Sequence, residues 1–377
     1  LMYDVGARDE QADKTGFAHL FEHLMFGGSA NIPEYDAVAQ RIGAENNAFT
    51  NNDITNYYLT FPANQLETAF WLESDRMLSL AFSEKSLDVQ RKVVSEEFKE
   101  HYLNKPYGDV WNKMREMAYK HHPYKWMTIG KELKHIEEAQ LQDVKNFFFK
   151  HYTPANAILV VAGNVETENV MQLAEKWFGP IPAGEKYVRQ LPKEPAQTEA
   201  RTLEIKADVP LDAFVKTWHM ASRLERGYYV TDLISDILGG GASSRLYEAL
   251  IKEKKLFSSI ECYHFGSIDN GLLAIEGKLV KGVNIEDAHK AVNEEVEKMK
   301  TELVDEKELQ KVINKTESTI LFEDMSVMSR ANSLAYYELL GDAELMNDEL
   351  ERYQSITAQE LLEESKKIFD EKNSNTL

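Results

Sequence analysis

The chain is 377 residues long, 43% apolar and 10% aromatic, too long for one ordinary core and apolar enough to fill two. Its formal charge of -20 argues against nucleic acid as a partner, because most of the surface would repel a polyanion, while cationic peptides remain compatible with it. A single cysteine, Cys262, excludes an internal disulfide and a thiolate metal cluster, so any metal must use imidazole and carboxylate.

The first residues, "LMYDVGARDE", read as the end of an apolar strand running into a polar turn, and a segment upstream of Leu1 is expected. Helical periodicity covers 15–26, 64–80, 84–102 and 138–150. In the third of these, Val89, Val93, Val94 and Phe98 form an apolar face expected to pack inward. Between the first two, "NNAFTNNDITNYYLTF" (46–61) has the Thr, Tyr and Phe content and partial alternation of strand and turn. The run "ANAILVVAGNV" (155–165) predicts a buried strand, and the helix after it ends at Gly179. No stretch reaches the roughly 18–20 apolar residues of a membrane-spanning helix. A soluble protein of the bacterial cytoplasm or periplasm is expected, with the compartment otherwise open.

From Pro180 to Ala200, "PIPAGEKYVRQLPKEPAQTEA" holds four prolines and no apolar period, which marks a linker. This predicts an N-terminal domain over 1–182, a linker over 183–200 and a C-terminal domain over 201–377. The second half repeats the order of the first. A strand at 213–220 leads to the helix "YVTDLISDILGGGASSRLYEALIK", then to strands near 258–279, charged helices from 284 to 338 and a late helix at 357–369. Both halves put a helix before a Gly-Gly turn with serine close behind, in "HLFEHLMFGGS" and "DLISDILGGGASS", as a duplicated α+β unit would. The second turn lacks the lysine of a phosphate loop, and Ser243 or Ser244 is expected to cap the next helix.

The chemistry is concentrated in "GFAHLFEHLMFGGS" (16–29). Residues four apart share a helix face, so His19 and His23 can turn ring nitrogens toward one point, with Glu22 on the shoulder of that face. Two imidazoles and an adjacent acid in the order H-x-x-E-H supply two zinc ligands and a general base, the inverse of H-E-x-x-H. Leu20, Phe21, Leu24 and Met25 bury the helix, and buried histidines need polar partners, which a metal provides. A third ligand must come from elsewhere, and "DVQRKVVSEEFKEHYL" offers Glu96, Glu97 and Glu100. His121, His122 and His151 have no acidic partner at helical spacing and read as packing or surface residues.

Together, "VGARDEQADKTGFAHLFEHLMFGGS", "NNAFTNNDITNYYLTF", "QRKVVSEEFKE" and "GGGASSRLYEAL" resemble the pitrilysin/insulinase family of inverted zincins, on the branch of the mitochondrial processing peptidase and its bacterial relatives. The resemblance implies an α+β fold of two homologous halves, each a mostly antiparallel sheet with helices on one side, enclosing a clam-shaped chamber, the C-terminal half without a metal site. It implies Zn2+ on His19, His23 and Glu97, counted along "R-x-V-V-x-x-E" from Arg91, with Glu22 as base. It also implies a substrate-binding edge strand at Asn47, Ala48, Phe49 and Thr50. Where family members often carry a further glutamate, this chain has Gln90, expected to hydrogen-bond a ligand.

In the second half, active single-chain relatives have an arginine and, seven residues on, a tyrosine that grip the substrate carbonyl, where this chain has Lys252 and Ser259. Lysine is a point charge without the planar fork of arginine. The resemblance therefore implies a zinc endopeptidase acting on peptides or unfolded segments with a homologous partner subunit that supplies the arginine and tyrosine. That assembly would be a heterodimer, with a homodimer as its variant. The alternative is a non-catalytic structural or assembly subunit of the same fold.

Overall fold

The computed structural model describes residues 1–377. Strand β1 (Met2–Tyr3) leads through a polar turn into helix α1 (Phe17–Leu24), followed by α2 (Tyr35–Arg41), the hairpin of β2 (Glu45–Thr50) and β3 (Thr55–Thr60), α3 (Leu66–Ser79) and α4 (Glu84–Phe98). Next come α5 (Val110–Ala118), α6 (Leu133–Glu137), α7 (Leu141–His151), β4 (Ala157–Ile158) and α8 (Thr167–Trp177). The rest of the chain forms β5 (Arg201–Thr202), β6 (Ala213–His219), α9 (Arg226–Gly239), β7 (Phe257–Phe265), β8 (Leu272–Leu279), α10 (Ile285–Thr301), α11 (Glu306–Glu323), α12 (Val327–Leu340), α13 (Glu349–Gln354), α14 (Ala358–Ile368) and β9 (Ser374–Thr376). The fold class is α+β.

The chain forms two compact units, neither of which is a single stretch: residues 1–112, 121–193 and 324–346 make the first, and 113–120, 194–323 and 347–377 the second. Specific bonds cause this interleaving. The Arg201 guanidinium donates to the Met117 and Ala118 carbonyls, both at 2.8 Å, and draws 113–120 into the second unit. In the first, Ala335 of α12 packs with Met2 and Ile54, and Asn56 donates to Asn332 at 2.9 Å.

The first unit holds an antiparallel sheet of order β2-β3-β1-β4. The second holds a sheet of order β5-β9-β6-β8-β7, antiparallel except for the β5-β9 pair. In the first unit the core joins the apolar side of α1 (Phe17, Leu20, Phe21, Leu24) to Val94 and Phe98 of α4 and Val144 and Phe148 of α7. Phe21 stacks on Phe148 and Tyr152 with ring centroids 6.1 and 5.0 Å apart. Such aromatic packing fixes the rotation of α1 about its axis.

Several expectations are corrected. The apolar run 155–165 is not a buried strand: only Ala157 and Ile158 pair with β1, and Leu159 is exposed. Val89 and Val93 face outward at 49% and 40% exposure, so α4 packs through Leu87, Val94 and Phe98 instead. The helix over 84–102 changes at Phe98 into a π-helical turn, Lys99–Leu103, closed by the Asn104 N–H on the Lys99 carbonyl. The long helix predicted through "GGGASS" stops at Gly239, where a Cβ would lie 1.9 Å from the Cys262 nitrogen, so β7 can approach only a glycine there. Neither serine provides the expected cap: Ser243 Oγ accepts from Lys311, and Ser244 Oγ is buried without a partner.

Candidate metal centre

Helix α1 begins at Gly16, whose φ of 88° is a left-handed conformation. A Cβ there would strike Ile136 Cδ1 at 2.5 Å and the Ile129 carbonyl oxygen at 2.6 Å. Having no side chain, Gly16 cannot cap the helix. The buried Glu10 does so instead, its Oε2 accepting the Gly16 N–H at 2.9 Å and its Oε1 the Ala18 N–H at 2.8 Å. The turn bearing Glu10 is itself tied down. Asp9 accepts from the Gly6 N–H at 3.0 Å and from both Nε and Nη2 of Arg189, at 2.7 and 3.0 Å. Arg189 belongs to the part of the proline-rich segment, 183–193, that lies in the first unit, and its side chain ties that part to the Glu10 turn.

With Phe17, Leu20, Phe21 and Leu24 turned into the core, the opposite side of α1 presents His19 and His23, their side chains 18% and 22% exposed. Their rings meet edge to face with centroids 4.8 Å apart. Helix α4 packs alongside and delivers Glu97, whose Oε2 is 3.7 Å from His19 Nε2 and 3.5 Å from His23 Nε2. One ligand atom from each of the three residues lies within 4.8 Å of the others, the only such His/Cys/Asp/Glu cluster in the chain. Glu96 points to solvent and pairs with Lys99 at 2.8 Å, and Glu100 is exposed.

This donor set fits zinc. Ligands about 2.0–2.1 Å from a tetrahedral ion sit about 3.3–3.4 Å from one another; the 3.5 and 3.7 Å from Glu97 to the two imidazoles are close to that spacing, and all three ligand atoms lie within 4.8 Å of one another. Burial, with the charge of His23 adding to it, lowers the His19 pKa to about 4, which keeps the ring neutral as ligation requires. Glu22 is outside the cluster. Burial pushes its carboxyl above the usual range and Glu97 adds to that, while Thr50 and His23 pull the other way. A carboxyl held up in this manner is suited to carrying a proton.

Strand β2 is the free edge of its sheet. Its register sets Ala48 opposite Tyr57, and Tyr57 spends its own backbone groups on Leu1 of the β1 side. The N–H and C=O of Asn46, Ala48 and Thr50 therefore point outward, and those of Asn47 and Phe49 toward β3. The Ala48 N–H is covered locally by Asn47 Oδ1 at 2.8 Å.

Gln90 is half-buried and hydrogen-bonds neither histidine nor Glu97, and His19 Nδ1 is buried without a partner. His122 accepts the Tyr124 N–H at 3.2 Å, and His151 is fully buried among aromatic rings. Lys252 pairs with Glu248 at 2.7 Å and Ser259 is exposed on β7. A cavity of ≈ 440 Å³ lies away from the histidines, between β3, residues 159–165 and α12. Glu10 escaped sequence reasoning because an acid in "ARDEQ" looks solvated. The signal was a glycine heading the histidine helix with no capping side chain of its own.

The α+β fold and the histidine-glutamate cluster define a protein of the metallopeptidase class. The chain belongs to the insulinase (peptidase M16) family: residues 1–132 match the family model described as "Insulinase (Peptidase family M16)", and residues 138–316 match "Peptidase M16 inactive domain". It is 28% identical over 382 residues to a protein of Helicobacter pylori named "Zinc protease PqqE", covering 100% of this chain and 86% of that one. It is 29% identical over 188 residues to the mitochondrial-processing peptidase subunit beta of Saccharomyces cerevisiae, covering 49% of this chain and 40% of that one. Among solved structures, a protease from Helicobacter pylori superposes with a TM-score of 0.93 at 28% identity, over 100% of this chain and 92% of that chain.

Proposed function

We propose that the chain is a zinc-dependent endopeptidase subunit, with His19, His23 and Glu97 holding the ion and Glu22 serving as general acid and base. The observation that carries this is the convergence of two imidazoles from α1 and one carboxylate from α4 at ligand distance, beside an acid that is not a ligand. Zinc held there supplies Lewis acidity that polarises a peptide carbonyl and acidifies water. Glu22 takes the proton from that water and returns it to the leaving nitrogen. The outward groups of Ala48 and Thr50 add the substrate as an extra strand, which fixes its backbone with little demand on its side chains. This suits short peptides and unfolded segments.

The family description of 138–316 as an inactive domain, and Lys252 engaged by Glu248, favour a two-subunit arrangement. The similarity to a processing-peptidase beta subunit supports the same view. A homologous partner carrying the arginine and tyrosine would supply donors for the developing oxyanion, worth a few kcal/mol each. No helix is long and apolar enough to cross a membrane. The deciding experiment is metal analysis with a cleavage assay: about one zinc per chain, lost in His19→Ala, and hydrolysis that rises when the partner is added. A chain that binds no zinc would instead be a scaffold of the same fold.

A further inference from the structure

We propose that Glu10 is a positioning residue for the metal helix: its buried carboxyl group, bridging the Gly16 and Ala18 N–H groups, holds the first turn of α1 so that His19 meets His23 and Glu97. The proposal rests on the reading of His19 as a zinc ligand. Its geometric half stands without it.

Helix α1 has only eight residues. So short a helix is marginal in water, and its ends fray first. His19 lies in the first turn and His23 in the last, so fraying at the N-terminus displaces one ligand and spares the other. Gly16 brings no capping group, yet close packing against Ile129 and Ile136 forbids any residue that would. The cap must come from elsewhere in the chain, and Glu10 provides it at 2.9 and 2.8 Å.

Glu10 is only 8% exposed and no ion pair reaches it, so it is not a surface charge that happens to lie near a helix end. Its neighbour Asp9 is clamped by Arg189 and by the Gly6 N–H, and the Trp126 indole donates to the Ala7 carbonyl at 2.9 Å. The Glu10 carboxyl group thus stands on a fixed turn. A fixed acceptor can hold a helix start in place, where a mobile one would follow it. His19 Nδ1 has no hydrogen-bond partner of its own, which leaves the ring to be oriented by the backbone beneath it and makes the cap count for more.

The test uses the full chain, the variants Glu10→Gln and Glu10→Ala, and Leu173→Ala as a control that opens a cavity on α8 away from α1. Amide hydrogen exchange on the metal-free proteins reads the first turn directly. Gly16, Ala18 and Leu20, whose N–H groups are bonded to Glu10 and to the Gly16 carbonyl, should exchange several-fold faster in Glu10→Ala and to an intermediate extent in Glu10→Gln, which keeps one acceptor, with the α4 amides unchanged. Zinc affinity, measured by chelator competition well below the melting temperature, should fall about 10–100-fold in Glu10→Ala, as it does when an outer partner of a ligand is removed. Unchanged exchange in α1 overturns the proposal. An equal loss of zinc affinity in Leu173→Ala, at matched loss of melting temperature, also overturns it, because stability alone would then explain the effect. Failure of the unsubstituted chain to bind zinc would refute the proposed function, and the exchange data would still decide the role of Glu10.

Discussion

Glu97 Oε2 lies 3.5 Å from His23 Nε2, although a hairpin and two helices separate the two residues along the chain. The contact exists because Val94 and Phe98, which flank Glu97 on α4, are buried in the same core as Leu20 and Phe21 of α1. Helix periodicity then leaves Glu97 on the side facing the histidines, while Glu96, one residue earlier, is rotated into solvent.

That rotation gives the first prediction. Glu97→Ala should weaken zinc binding by more than about 100-fold, beyond the about 10–100-fold typical of an outer-shell loss, whereas Glu96→Ala should leave it within about twofold. Chelator competition at neutral pH distinguishes them. Equal effects of the two substitutions would mean that α4 does not provide the third ligand.

Glu22 has a different position and a different expected signature. Removing its charge in Glu22→Gln preserves volume and takes nothing from the donor set, so zinc content should stay at that of the unsubstituted protein. Hydrolysis of an unstructured peptide should fall by about 10²–10⁴-fold, the range for loss of a positioned acid-base group. Turnover that survives the change would assign proton transfer elsewhere.

The convergence of His19 and His23 was legible in sequence because a spacing of four residues dictates a shared face whatever surrounds it. Glu97 was not legible from the residues alone. Three acids on one helix are chemically alike, and only the packing of Val94 and Phe98 separates them, so family resemblance had to select among them. The sheet pattern was legible in the hairpin, where Thr, Tyr and Phe alternate, and failed at 155–165. There, hydrophobicity promised burial, but pairing stops after Ile158. The outward Val89 and Val93 misled for the same reason, since apolar content does not identify which stripe of a helix meets a core. Glu10 was invisible because its role depends on a backbone conformation at Gly16 that no local pattern announces.

The edge strand yields a prediction that separates binding from stability. Proline at an edge position whose N–H faces outward removes no ladder bond, whereas at an inward position it does. Ala48→Pro should leave the melting temperature nearly unchanged and raise KM for peptides, by about tenfold if one or two main-chain hydrogen bonds are lost. Phe49→Pro should instead destabilise the β2-β3 hairpin. A peptide N-methylated at the amide that meets β2 should reproduce the Ala48→Pro effect with the unsubstituted protein. If Ala48→Pro binds and cleaves peptides normally, β2 is not where substrate docks.

His151 makes the pH dependence of stability specific to one side chain. It is fully buried, both ring nitrogens lack hydrogen-bond partners, and its ring contacts Phe147 and Tyr187 at 4.7 and 4.6 Å. Burial, aided by the charges of Lys150 and Arg189, lowers its pKa to about 3. In the unfolded chain it titrates near 6.5, so between these values the unfolded state binds more protons and stability rises with pH. The neutral ring contributes its full stability above pH 6.5, and that stability is lost as the pH falls toward 3. At pH 5 the loss is about 2 kcal/mol, at about 1.4 kcal/mol per pH unit below the unfolded value. Urea unfolding of the unsubstituted protein and of His151→Phe at pH 7 and pH 5 isolates this contribution: the unsubstituted protein should lose about 2 kcal/mol more between the two conditions than the variant does. A parallel decline in both proteins would show that His151 is protonated without cost in the folded state, and that the packing of Phe147 and Tyr187 does not exclude its charge.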